Sequence, residues 1–146
     1  MTSRNFARTI GVIFVAVGVL GFVPAFKSPP PIVGPHLAVD GSYGLLLGLF
    51  PVNWIHNLVH LAIGLSGLSA SRSVGAGRKF ARGLTFLYGG LAVMGLIPVL
   101  NTTFGLIPLF GHDIWLHAGT AALAAYFGFG QRMEAIEIRE RYKRAA

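Results

Sequence analysis

Apolar residues dominate four separate stretches of the chain, each bounded by charge, proline or glycine. The stretches cover roughly residues 10–23, 51–68, 84–99 and 109–130. A helix that crosses the hydrocarbon core of a bilayer needs about 20 mostly apolar residues at about 1.5 Å per residue. Flanking apolar residues such as Phe6 and Phe80 bring all four stretches close to that length. The pattern therefore predicts an all-α fold with four transmembrane helices, in a single membrane domain over residues 1–146.

The chain also contains an internal repeat. Residues 4–8 (RNFAR) match residues 78–82 (RKFAR) 74 positions later, and residues 48–52 (GLFPV) match residues 105–109 (GLIPL) 57 positions later. The first apolar stretch could by itself be a cleaved signal peptide. Because its copy lies in mid-chain, where no signal peptidase acts, we expect it to be a retained helix.

Each repeat is predicted to be a hairpin of two helices, over about residues 4–70 and 78–130. Since each repeat crosses the membrane an even number of times, both hairpins have the same orientation and are related by a pseudo-two-fold axis along the membrane normal. The fold is therefore predicted to be a four-transmembrane-helix bundle of two tandem hairpins. Good helix formers and basic residues over 131–146 predict a cytoplasmic helical tail.

Composition supports a membrane protein and gives its orientation. Hydrophobic residues make up 53% of the 146 residues and charged residues 12%, and the mean hydropathy is +0.64. Eleven of the twelve Lys and Arg residues flank the predicted spans on one side, and only Lys27 lies on the other. Basic residues concentrate on the cytoplasmic side, so both termini are predicted to lie in the cytoplasm, with the helices in the inner (plasma) membrane. The net charge of +7 thus fits contact with lipid headgroups, and a nucleic-acid partner is not expected.

The two predicted outer connections differ in length. Residues 24–47 carry several prolines, which favour an extended, partly polyproline conformation, whereas residues 100–104 form a short turn. The longer connection is expected either to cover the outer end of the bundle, to dock a partner, or to act as a simple linker.

Four ionisable residues lie inside the second and fourth predicted helices. The offset of 57 that aligns the GLFPV and GLIPL motifs also aligns His56 with Asp113 and His60 with His117. Ionisable side chains at membrane depth are costly and usually functional. Residues four apart share a helix face, so the symmetry is expected to bring all four side chains together in the outer half of the bundle. The residues expected to support this cluster are Asn53, Asn57 and His112.

The residue types in the cluster leave several functions open. Without cysteine, a metal ion would be bound by nitrogen and oxygen, with His56, His60, Asp113 and His117 as ligands. Alternatively, His60 and His117 could be the axial ligands of a haem b. A proton relay or a quinone site is a third interpretation. The fourth is a polar core that only fixes helix register, in which case the protein would be a non-catalytic accessory or scaffold subunit of a respiratory, photosynthetic or transport complex.

The motifs quoted above resemble a family. The run from Gly48 to Gly64, with its HNLVH stretch, the Ala-Arg helix starts at Arg8 and Arg82, and Asp113 with His117 are similar to a bacterial family of small four-helix membrane proteins described as a domain of unknown function (DUF4383-like). The resemblance covers about residues 4–128. It implies membrane location and this bundle, but no activity, cofactor or partner. No catalytic motif is present either, so enzymatic activity is not predicted, and the partners expected are membrane lipid and either other membrane subunits or further copies of the chain.

Overall fold

Four helices make up most of the structure, a computed structural model that describes residues 1–130, 139 and 142–145. They are α1 (Ser3–Leu20), α2 (Trp54–Ala70), α3 (Val74–Leu96) and α4 (His112–Ala125). A π-helical segment, Tyr126–Gly130, follows α4 directly. The helical fold predicted from the sequence is thereby confirmed. The predicted tail over 131–146 lies outside the described residues, apart from Arg139 and residues 142–145, which are helical.

The helices pack as two hairpins. Helix α1 packs along α2, α3 packs along α4, and α1 also contacts α3. The side chains of Thr2, Asn53 and Ser73 accept hydrogen bonds from backbone N–H groups at the starts of α1, α2 and α3. Such caps satisfy donors that a helix leaves without partners in its first turn.

Glycine allows α1 and α2 to approach backbone to backbone. A Cβ atom built on Gly64 would stand 2.7 Å from the backbone nitrogen of Val15, and one built on Gly11 would stand 2.8 Å from that of Leu68. Small residues at helix crossings allow this approach. Four glycines of α3 differ, because a Cβ on Gly75, Gly83, Gly89 or Gly90 would meet nothing within 4 Å. These four glycines therefore do not form a close-packed face.

A small antiparallel sheet, which the sequence did not predict, lies at the outer end of the first hairpin. Its strands are β1 (Lys27–Ser28), β2 (Gly44–Leu46) and β3 (Phe50–Val52), in the order β1-β2-β3. The all-α prediction was wrong at this point. Strands of two or three residues are too short to give a recognisable alternation of apolar and polar positions.

The turn between β2 and β3 is repeated in the second half of the chain. Leu47 and Gly48 have φ values of 53° and 74°, and the equivalent Phe104 and Gly105 have values of 59° and 86°. Left-handed backbone is uncommon outside glycine. The motif repeat in the sequence is therefore also a repeat of backbone conformation.

The long outer connection crosses to the second hairpin. The backbone N–H groups of Ala38 and Val39 both donate to the carbonyl of Gly105, at 2.9 and 3.2 Å. The side-chain amide nitrogen of Asn53 donates to the backbone carbonyls of Val39 and Leu106, at 2.9 and 2.7 Å. Of the interpretations open at the sequence level, these contacts favour a cover over the outer end of the bundle.

Only α1, among the described residues, is both long enough and apolar enough to be a candidate membrane span. Helix α2 has 17 residues and α4 has 14. Four transmembrane helices therefore stay a prediction.

Candidate metal centre

The four ionisable residues predicted to form the cluster are buried in the half of the bundle that contains the starts of α2 and α4. His56 and His60 on α2 are 4% and 6% exposed, and Asp113 and His117 on α4 are each 2% exposed. Their rings and carboxylate project from the two helices that the repeat relates. The structure thus brings together side chains that lie 57 positions apart in the chain.

On α2, the cap residue sets the position of the first histidine. The side-chain oxygen of Asn53 accepts a hydrogen bond from the backbone N–H of His56 at 2.9 Å. The Nδ1 atom of His56 lies 3.2 Å from the carbonyl oxygen of Pro51. If Nδ1 carries the proton and donates to this carbonyl, Nε2 keeps its lone pair free to bind a metal ion.

On α4, the carboxylate and the histidine stand one turn apart. The Nε2 atom of His117 lies 3.7 Å from Oδ2 of Asp113, which is longer than a hydrogen bond. Asp113 is in the first turn of α4, where the backbone N–H groups and the helix dipole favour a negative charge. Among the described residues, Oδ2 of Asp113 and Nδ1 of His117 have no hydrogen-bond partner.

Three of the four residues could hold a metal ion. One donor atom from each of His56, Asp113 and His117 can be chosen so that all three atoms lie within 4.8 Å of one another. Ligands of a tetrahedral zinc ion stand about 3.4 Å apart when each bond is about 2.1 Å long. A closure of roughly 1 to 1.5 Å by these side chains would therefore complete a site with two nitrogens and one carboxylate oxygen.

His60 is close to this set but does not belong to it. Its ring stacks on that of His56, with centroids 4.5 Å apart and an angle of 16° between the planes. Its Nδ1 atom is buried and has no hydrogen-bond partner among the described residues. His60 is therefore a neighbour of the candidate metal ligands and not one of them.

The residues predicted to support the cluster behave differently from one another. Asn53 holds α2, the outer connection and the second hairpin together, as described above. Asn57 is fully buried, but its amide lies against Gly21 of the first hairpin and its nitrogen and oxygen have no hydrogen-bond partner among the described residues. His112 is exposed at the start of α4, so the structure does not bring it into the cluster.

Two aromatic residues that the sequence did not single out pack against the histidines. The ring of Tyr88 on α3 meets that of His117 edge to face at 4.9 Å. The ring of Phe14 on α1 meets that of His60 at 5.4 Å and that of Tyr88 at 5.4 Å. The one signal in the sequence that could have indicated a role for Tyr88 is its position as a tyrosine in the middle of an apolar stretch.

A cavity of about 190 Å³ lies beside the cluster. Its lining includes the rings of the three histidines, the side chains of Tyr88 and Thr103, and aliphatic side chains. The lining residues are His56, Val59, His60, Leu87, Tyr88, Leu91, Thr103, Ile107, Leu109 and His117.

The fold and the site define a four-helix protein with a buried cluster of histidine and aspartate between two repeated hairpins. The chain belongs to the family described as Domain of unknown function (DUF4383), whose sequence model matches residues 4–130. The resemblance inferred from the sequence is thereby confirmed. Comparison with curated proteins and comparison with solved structures each found no match.

Proposed function

We propose that this protein is an integral membrane protein that binds a divalent metal ion between α2 and α4, with His56, Asp113 and His117 as the ligands. The observation that carries the proposal is the convergence of these three donors, from opposite halves of the chain, within 4.8 Å. Two imidazoles and a carboxylate form the ligand set of several catalytic zinc sites and of non-haem iron(II) sites. Such a set leaves coordination positions open for a further ligand.

The pattern of hydrogen bonds favours a bound ion over a self-contained polar core. Buried polar atoms in proteins nearly always have a hydrogen-bond partner, and leaving one without a partner costs about 1 to 3 kcal/mol. Within the described residues, Asp113 Oδ2 and His117 Nδ1 have none. A network that existed only to fix helix register would pair these groups with one another, whereas a metal ion binds the carboxylate directly.

A haem bound between His60 and His117 has less support. Each of these histidines packs edge to face against an aromatic ring, Phe14 in one case and Tyr88 in the other. A porphyrin between the two histidines would have to displace these rings. The three donors of the metal site need only small side-chain rotations.

The distribution of apolar side chains supports the membrane location. All four helices expose large apolar residues, among them Val12, Ile13, Leu58, Leu65, Phe86, Val93, Leu116 and Leu123. Several polar residues, among them Asn53, Asn57 and Asp113, are buried instead, which is uncommon in a water-soluble protein. Helix α2, with 17 residues, rises about 25 Å and the run of residues 112–130 about 28 Å, close to the thickness of about 30 Å of the hydrocarbon core. We place the bundle in the bacterial inner membrane, with both termini in the cytoplasm.

The test is metal binding by the purified protein in mild detergent. The protein is stripped with chelator and dialysed against Zn²⁺, Mn²⁺ or Fe²⁺, and bound metal is measured by elemental analysis. We expect one ion per chain. The variants His56→Ala, Asp113→Asn and His117→Ala should weaken binding by more than about 100-fold, because even groups that only orient a ligand contribute about 10- to 100-fold.

Exposed histidines supply the matched controls. His36 and His112 are both exposed, and replacing either with alanine removes an imidazole without touching the site. Both control variants should bind the ion as the natural protein does. Metal-free natural protein, or equal binding by all five variants, would contradict the proposal. A metal-free protein that purifies with a fixed partner would instead favour an accessory subunit.

A further inference from the structure

The surface of the cavity beside the candidate metal centre is apolar throughout. Three histidines, Tyr88 and Thr103 are among its lining residues, but the part of the chain that the structure describes turns only apolar atoms toward the cavity. The Nδ1 atoms of His60 and His117 are themselves buried. A ligand that needs a hydrogen bond, such as the ring of a quinone, therefore finds no donor or acceptor on this surface.

The apolar surface surrounds the cavity from several elements. Helices α2, α3 and α4 and the segment between α3 and α4 all contribute to the lining. The histidines take part through the carbon atoms of their rings, and Val59, Leu91 and Leu109 take part through aliphatic groups. A molecule in this cavity would be held by dispersion contacts and by the removal of its apolar surface from water.

The volume of the cavity limits the size of such a molecule. An apolar cavity of about 150 Å³ stays free of water and binds benzene or xenon, because water needs polar partners. This cavity measures about 190 Å³, so it has room for one substituted six-membered ring. It is too small to enclose a drug-sized molecule, which needs about 300 Å³ or more.

We infer that the cavity binds a small apolar molecule without hydrogen-bonding groups, no larger than a substituted benzene, which packs against the imidazole rings of His56, His60 and His117. A free hydrocarbon has this chemistry, and so has the end of a lipid acyl chain. The inference rests on the cavity alone and depends neither on the metal ion nor on the membrane location proposed above. Because His56 and His117 are also candidate metal ligands, the molecule would lie next to that site.

NMR spectroscopy of the purified protein in perdeuterated detergent tests the inference. The probes are toluene and phenol, which have nearly the same shape and differ in a hydroxyl group. Toluene should give saturable nuclear Overhauser effects to the ring C–H protons of the three histidines, which toluene in the micelle cannot reach because these rings are buried. Phenol should bind at least about 10-fold more weakly, because the cavity leaves its hydroxyl without a partner.

Two variants change the space in the cavity in opposite directions. Val59→Phe places a ring in the cavity and should weaken toluene binding by more than about 10-fold, because close-packed interiors have no spare room. Val93→Phe is the matched control, since Val93 is 59% exposed and does not line the cavity. Leu91→Ala enlarges the cavity and should admit naphthalene, which the natural protein should exclude.

A second sample identifies the source of the apolar group. In bicelles of phospholipids whose acyl chains carry protons only at the terminal methyl group, nuclear Overhauser effects from that methyl group to the imidazoles would identify an acyl chain as the occupant. Toluene binding without such effects would identify a small free molecule. Both results support an apolar ligand site.

Metal content, measured on the same samples before and after addition of Zn²⁺, distinguishes this inference from the metal proposal. Toluene binding by a protein that takes up no metal would refute the metal site and leave the cavity inference standing. Absence of contacts between toluene and the imidazoles, or equal affinity for toluene and phenol, would overturn the inference. Unchanged toluene binding by Val59→Phe together with exclusion of naphthalene by Leu91→Ala would also overturn it.

Discussion

Single residues connect parts of this protein that are distant in the chain, and Asn53 is the clearest case. Its side chain accepts a hydrogen bond from His56 in α2 and donates to the carbonyls of Val39 and Leu106. It is fully buried. One amide therefore caps the helix that presents His56 and fastens the outer connection to the second hairpin.

Replacing Asn53 should separate these two roles. Asn53→Ala loses the cap and two donated bonds, and should lower the free energy of unfolding by about 3 kcal/mol, since a cap contributes about 1 kcal/mol and each buried carbonyl left alone costs at least about 1 kcal/mol. Asn53→Asp keeps the acceptor of the cap but directs a carboxyl oxygen at the two carbonyls, so it should lose the second role while it keeps the first. The measurement is reversible unfolding in mixed micelles.

Ser73→Ala is the matched control for this series. The side chain of Ser73 caps α3 by accepting a hydrogen bond from the backbone N–H of Ala76 and makes no other hydrogen bond within the described part of the chain, so Ser73→Ala should lower the free energy of unfolding by about 1 kcal/mol. If Asn53→Ala lowers the free energy of unfolding no more than Ser73→Ala does, the hydrogen bonds to Val39 and Leu106 do not contribute to stability.

Part of the site could be predicted from residues alone. The offset of 57 residues between the two motifs predicted that His56, Asp113 and His117 lie close together, because a repeat places equivalent residues at equivalent depths on equivalent helices. It could not place His60, whose ring stacks on His56, because helical spacing gives a shared face but no side-chain rotamer. Nor could it show that His112 points into solvent, since the start of α4 follows Gly111 with a φ value of 68°, a turn that no pattern of hydrophobicity records.

At the scale of elements, the sequence predicted the helices but not their ends or the sheet. The third apolar stretch began at about residue 84, whereas α3 begins at Val74, because basic residues of the first turns interrupt the apolar pattern without interrupting the helix. One of these, Arg82, donates from Nε to the carbonyl of Gly128 in the π-helical segment. Long polar side chains at a helix end can satisfy such carbonyls while they also set membrane orientation.

Alanine substitutions at two glycines should change the stability of the protein in opposite directions, because the two glycines are packed differently. Gly64→Ala should destabilise the protein by about 1 to 3 kcal/mol, because its Cβ would stand 2.7 Å from the backbone of Val15. Gly89→Ala meets open space within α3 and should stabilise the protein by up to about 1 kcal/mol through helix propensity. Thermal unfolding in detergent measures both changes. A loss of stability in Gly89→Ala similar to that in Gly64→Ala would show that the α1–α2 contact is not the cause.

At the scale of the whole molecule, the proposed orientation in the membrane makes opposite ends of the bundle accessible from opposite sides. The natural chain has no cysteine, so single cysteines can be introduced without removing any. His36→Cys places a thiol in the exposed outer connection, and Gly75→Cys places one in open space at the start of α3.

A membrane-impermeant maleimide should distinguish the two positions. In intact bacterial cells it should label His36→Cys and not Gly75→Cys, and after lysis it should label both. Gel-shift of the labelled protein provides the measurement. Labelling of Gly75→Cys in intact cells would reverse the proposed orientation, and release of the protein from membranes by alkaline carbonate would contradict membrane integration.

The repeat that includes the left-handed turn has a consequence for the candidate metal ligands His56 and Asp113, which stand at equivalent positions in the two hairpins. Outside the longer first connection, the halves align at offsets of 74 and 57, so that connection carries 74 minus 57, or 17, extra residues. A symmetric dimer of identical hairpins would place the same residue at the positions of His56 and Asp113. Joining the two hairpins in one chain removes that constraint, because the equivalent positions can then differ. This chain can therefore present an imidazole from one hairpin and a carboxylate from the other to the proposed metal ion.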